Sequence, residues 1–83
     1  MAADFTTDLE PLTAALDAIW TKPSPATGSR WMQTHPDLGL RIGGRYYVWR
    51  EAREAINRGI PLDQAAQIGA ACRARAEDGA RAA

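Results

Sequence analysis

A Gly-Gly pair at residues 43–44, with alternating apolar and polar residues on both sides, constrains this chain more than any other feature. A period of two is typical of a half-buried strand. Glycine adopts the positive φ of a tight hairpin turn without steric cost. The stretch therefore predicts a two-stranded β-hairpin. Its apolar alternating members are Leu40, Ile42, Tyr46 and Val48.

A second helix of the chain is predicted just before this hairpin, from Pro25 to about Thr34. Ser24 is a favoured N-cap residue, and proline is favoured at the first helical position. Trp31 is its predicted core residue, with Met32 beside it. A short helix followed by a basic hairpin is the outline of a winged helix-turn-helix, which binds double-stranded DNA. The predicted fold is therefore mostly α-helical with a two-stranded hairpin, the wing.

The first helix is predicted to begin near Asp8 or Pro11 and to end before Pro23, which cannot continue a helix. Thr7 and Glu10 have the spacing of a capping box at its start. Apolar residues at three- and four-residue steps give it one apolar stripe. The stripe consists of Leu9, Leu12, Leu16, Ile19 and Trp20.

Two more helices are predicted after the hairpin, at about residues 49–58 and 62–78, with fraying beyond Gly79. We expect a single domain, with a core at about residues 8–60 and the last helix added to it. Alanine is so frequent that the core depends on few large residues. These are Leu9, Leu12, Leu16, Ile19, Trp20, Trp31, Ile42, Tyr46, Val48, Trp49 and Ile56.

The charged residues are unevenly distributed, although the formal net charge is zero. Residues 1–20 contain four acidic residues and no basic residue. Residues 21–58 contain seven basic and three acidic residues, and in residues 59–83 the two kinds are equal in number. Nine of the ten bases are arginine, which suits phosphate and guanine. A basic run alone favours a solvated surface. Its coincidence with the helix and wing favours a DNA-binding surface.

These residues resemble the excisionase-type branch of the winged helix-turn-helix proteins, which is related to the MerR regulators. The resemblance covers about residues 9–58. It implies cooperative binding of double-stranded DNA by neighbouring copies. Many members are recombination directionality factors that bend attachment-site DNA so that an integrase excises a mobile element, and others are small transcriptional regulators. The positions that carry the resemblance are Ser24, Thr27, Arg30, Trp31 and the wing at 41–46.

The chain departs from that family at three places, one of which is the tail beyond Ile60, which has no counterpart in the shortest members. Members usually carry a branched apolar residue at the position of Gly28, so a less rigid second helix is expected here. They also carry a glycine before the turn, where this chain has Thr21, Lys22 and Pro23.

The predicted DNA-binding surface combines the start of the second helix, the wing and the start of the third helix. Helix N-termini and arginines bind phosphate, and arginine also recognises guanine. The alternative is that these residues only cap the helix or carry charges that face solvent, without binding DNA. Arg58 is left out, because it lies four residues after Glu54, the spacing of a helical ion pair. The candidates are Ser24, Pro25, Ala26, Thr27, Ser29, Arg30, Arg41, Gly43, Gly44, Arg45, Tyr47, Arg50 and Arg53.

Other functions find less support in the sequence. His35 and Cys72 are too few for a metal site, and no catalytic arrangement is visible, so we expect no enzyme, cofactor, metal or small-molecule ligand. The single cysteine and the lack of a long apolar run predict a cytoplasmic protein without a membrane segment. Head-to-tail self-association is predicted between the basic middle of one copy and two parts of its neighbour, the acidic first helix and the small-residue last helix. A protein-binding adaptor is the alternative from another class.

Overall fold

Four α-helices and a three-stranded antiparallel sheet make up residues 8–82, the part of the chain that this computed structural model describes, with side chains described for residues 8–79. A one-turn 3-10 helix, here called the linker turn, spans Pro36–Leu38 and joins α2 to β2. In chain order the other elements are β1 (Leu9–Pro11), α1 (Leu12–Ala18), α2 (Pro25–Thr34), β2 (Gly39–Ile42), β3 (Arg45–Trp49), α3 (Arg50–Asn57) and α4 (Leu62–Ala82).

The sheet contains one strand more than the sequence predicted. The hairpin is present as β2 and β3, and β1 pairs with the other side of β3, so the strand order is β1–β3–β2. Leu9 lies opposite Trp49, and Pro11 lies opposite Tyr47. Proline lacks an N–H and is tolerated at such an edge. A three-residue strand is too short to produce a period-two signal, which explains why the two-stranded prediction was wrong.

The first helix is correspondingly shorter than predicted. It begins at Leu12 and ends at Ala18, and Glu10 lies in β1 instead of in a capping box. Thr7, the other half of that box, lies outside the described residues. The chain becomes extended at Ile19, which is buried, and the Trp20 side chain is therefore 76% exposed instead of completing the apolar stripe.

Two of the departures from the resembled family have a structural explanation. Lys22 has a φ of +51°, the left-handed conformation that glycine adopts more readily, and its Nζ donates to the Asp17 carbonyl oxygen at 2.6 Å. Gly28 is buried where α2 crosses α1, and a Cβ there would stand 2.6 Å from Cδ1 of Leu16. Gly28 thus allows α1 and α2 to pack closely, whereas the sequence suggested that it makes the second helix less rigid.

The core lies between the sheet and all four helices. Trp49 and Leu38 are its largest fully buried side chains. In α2, both predicted core residues contribute: Met32 is buried, and Trp31 is half-buried and packs against the core. Ile42, near the end of the wing, is 50% exposed and does not belong to the predicted core.

The helix α4 packs along α3 and the linker turn, and it continues to Ala82, beyond its predicted end. Its buried face is made of small side chains, which let it approach closely. Burial raises the pKa of the Cys72 thiol on this face, partly offset by a hydrogen bond from Arg75. Arg75 also donates to Glu51, which ties α4 to α3.

Candidate nucleic-acid interface

The start of α2 uses most of its hydrogen-bonding groups internally. Ser24 is the N-cap, as predicted: its Oγ accepts from the Thr27 N–H at 3.2 Å and lies 3.0 Å from Thr27 Oγ1. The Gly28 N–H donates to the Ser24 carbonyl, and Pro25 has no N–H. Within the described residues, only Ala26 of this first turn has an amide without a hydrogen bond. The helix start therefore offers one backbone donor to an anion.

The wing turn has the predicted geometry. Gly43 and Gly44 have φ values of +57° and +79°. Arg41 lies directly opposite Tyr46 on the neighbouring strand, and its guanidinium carbon is 5.5 Å from the centre of the tyrosine ring. That distance is typical of a cation–π contact. Tyr46 therefore packs against an arginine and not only against the core.

The structure divides the basic side chains into two groups. Five of them form ion pairs with acids of the same chain. By contrast, the guanidinium groups of four arginines contact no acid and make no hydrogen bond within residues 8–79: Arg30, Arg41, Arg45 and Arg58. The predicted pair between Glu54 and Arg58 is thus not formed. The five ion pairs are Lys22–Asp17, Arg50–Asp8, Arg53–Glu10, Arg73–Glu77 and Arg75–Glu51.

The pair between Arg53 and Glu10 is the least exposed of these. Nε of Arg53 donates to Oε2 of Glu10 at 3.1 Å, and Nη2 donates to Oε1 at 2.8 Å. The two side chains are only 17% and 23% exposed. The hydrogen bond with Glu10 raises the pKa of Arg53. Arg53 was predicted to contact DNA. In the structure it forms an ion pair that links α3 to β1.

Sequence analysis missed this contact because Glu10 was assigned to a helix cap. The pairing of β1 with β3 places Glu10 opposite Val48, two residues before the start of α3 at Arg50. Arg50, a second predicted DNA contact, pairs with Asp8 at 3.4 Å in a more exposed position. The acidic N-terminal segment therefore neutralises the start of α3 within the same chain.

Replacing Glu10 by glutamine is expected to destabilise the fold by about 1–2 kcal/mol, because the partly buried Arg53 then loses the carboxylate to which its guanidinium is hydrogen-bonded. Replacing Asp17 by asparagine is the matched control. Its pair with Lys22 has side chains 84% and 63% exposed, and such surface pairs contribute about 0–1 kcal/mol. Urea unfolding measures both. Equal midpoints for the two variants would contradict a structural role for the Arg53–Glu10 pair.

A shallow groove of about 340 Å³ lies between the first turn of α1 and β3. Sequence analysis gave no signal for it, because it depends on the position of α1 beside the wing. Arg45 is the only charged residue in its lining, which also includes Thr13 and two tyrosines. Such a groove suits an anion better than a cation. Its lining residues are Pro11, Leu12, Thr13, Arg45, Tyr46 and Tyr47.

The remaining candidates have plain positions. Ser29 is half-buried on α2, and Tyr47 is half-buried on β3 and lines the groove. Across residues 8–79 no cluster of three or more histidine, cysteine or acidic side chains could hold a metal ion. Among the described helices, none has both the length and the apolarity that crossing a bilayer requires.

In comparisons with known proteins, no family model, curated protein or solved structure matches the chain.

Proposed function

We propose that this chain binds double-stranded DNA as a winged helix-turn-helix domain, with α2 and the wing as the contacting elements. The observation that carries the proposal is that three of the four arginines without an acidic partner in the described structure lie on these two elements. Arg30 lies on α2 and Arg45 on the wing, and neither meets an acid in the described structure. A protein that binds phosphates needs cations whose charge is not already neutralised.

The groove beside the wing supports the same proposal. Arg45 and Thr13 both line it, and none of its lining residues is acidic. Arginine with hydroxyl donors is a common set of contacts to DNA phosphates. Gly43 and Gly44 have no side chain to hold the tip of the wing away from a sugar–phosphate backbone.

A single copy is expected to bind weakly. With Arg53 and Arg50 already paired to acids, the main cations of the surface are Arg30, Arg41 and Arg45. The logarithm of the affinity falls with the logarithm of the salt concentration, with a slope of about 0.9 per phosphate neutralised. Because this surface has few free cations, we expect a shallow slope for one copy. Useful affinity therefore requires several copies on one DNA. This requirement favours the excisionase role, in which cooperative binding bends the attachment site for an integrase.

Head-to-tail association through the acidic N-terminal segment stays a prediction. Three acidic side chains of this segment already form ion pairs with basic side chains of their own chain: Asp8, Glu10 and Asp17. A neighbouring copy would have to compete with these pairs, most of all with the partly buried one at Glu10. The contact between copies is therefore expected to use other surfaces as well.

Fluorescence anisotropy on a duplex of about 40 base pairs, roughly four helical turns, from beside the protein's own gene tests the proposal. We expect binding at low salt that weakens at high salt and has a Hill slope above one. No binding at low salt would overturn it. Stimulated excision by the adjacent integrase then supports the recombination role, whereas binding to a palindrome that overlaps a promoter supports the regulatory alternative.

A further inference from the structure

The linker turn is the covalent connection between the two proposed DNA-contacting elements. It begins two residues after the end of α2 at Thr34, and β2 begins immediately after it at Gly39. Because the connection is so short, the position of the linker turn determines where the wing stands relative to α2. Whatever holds the turn therefore affects both elements.

The helix α4 holds the linker turn by direct backbone contact. A Cβ at Gly69 would overlap the carbonyl oxygen of Asp37 and would stand 3.2 Å from Cδ1 of Trp49. Gly69 is therefore a position without room for a methyl group. On the inner side of the same turn, Leu38 is only 1% exposed. The turn is thus clamped between the core and a helix that contributes none of the predicted contacts to DNA.

We propose that Gly69 is a positioning residue, and that α4 fixes the orientation of the wing relative to α2 and so determines the sequence specificity of DNA binding. This inference rests on the function proposed above. Specific binding requires that a helix and a wing meet base edges and phosphates in register, whereas non-specific binding depends mainly on charge. Displacing the turn disturbs the first requirement and leaves the number of cations on the protein unchanged.

A merely stabilising role for α4 has a different signature. Partial unfolding lowers the concentration of competent protein, and it reduces the specific and non-specific apparent affinities by the same factor. Their ratio is then unchanged. A change in the ratio therefore separates positioning from stability.

The experiment compares Gly69→Ala with Gly79→Ala, the same substitution at an exposed site of the same helix. The probes are a duplex selected from a random library by the unmodified protein and a scrambled duplex of equal length. We expect the affinity ratio to fall about tenfold or more in Gly69→Ala, the loss of at least one base contact, and to change less than about twofold in Gly79→Ala. An unchanged ratio in Gly69→Ala would overturn the inference while leaving the proposed function intact.

A second variant and a second measurement keep the test decisive. If Gly69→Ala does not fold, Leu38→Val loosens the linker turn from its core side, and the same ratio is expected to fall by a smaller factor. Residual dipolar couplings measured without DNA report the orientation of β2 and β3 relative to α2. We expect a rotation in the linker-turn variants and none in Gly79→Ala. Absence of DNA binding by the unmodified protein overturns the proposed function, and an unrotated wing overturns the positioning role independently.

Discussion

Replacing Trp49 by alanine is expected to unfold the protein. This side chain is 1% exposed, ends β3, and lies against Gly69 of α4. Truncation of a buried tryptophan costs about 3–5 kcal/mol. A chain of this length buries a small core, and its total stability is expected to be of about the same size. One substitution therefore removes most of the free energy that holds sheet and helices together.

Trp20 provides the matched control for this substitution. Its side chain is 76% exposed, and its main structural contact is a hydrogen bond from its backbone N–H to Oδ1 of Asn57, which alanine preserves. Exposed substitutions of this kind change stability by about 0.5 kcal/mol or less. Circular dichroism during thermal unfolding compares the two variants. A cooperative transition for Trp49→Ala near that of Trp20→Ala would contradict the core described here.

The contrast between these two tryptophans shows what local sequence patterns predict and what they do not. The hairpin at β2 and β3 and the helix α2 follow from glycine, proline and serine chemistry within a few residues, and both were predicted correctly. Trp20 was assigned to the core because it continues a helical spacing. The helix ends at Ala18, before that spacing reaches Trp20, and nothing local to the sequence marks this end.

The strand β1 was missed for a related reason. Its partner in the sheet is β3, about forty residues away, and its own three residues also suit a helix start. Once β1 is placed, the ion pair between Glu10 and Arg53 follows from the register. The candidate site depended on the same information. A sequence shows which arginines exist, but only the fold shows that Arg53 is neutralised and that Arg45 is not.

Replacing Arg30 by alanine is expected to cost about 1–3 kcal/mol of binding free energy on a selected duplex, if the guanidinium meets a guanine edge. The loss should be much smaller on a scrambled duplex, because only base contacts carry sequence information. Arg45→Ala is expected to act differently. Losing a contact from the wing to phosphate weakens the binding of all DNA sequences alike and lowers the salt slope by about one.

Arg73→Ala is the control for both variants, because this arginine pairs with Glu77 on α4, an exposed helical pair away from α2 and the wing. Its removal is expected to leave affinity and salt slope unchanged. Fluorescence anisotropy at several salt concentrations measures all three variants. If Arg30→Ala and Arg45→Ala bind like Arg73→Ala, uncompensated charge on α2 and the wing does not mark a DNA surface. The adaptor alternative, in which the same fold contacts a protein, then becomes the better account of the exposed arginines.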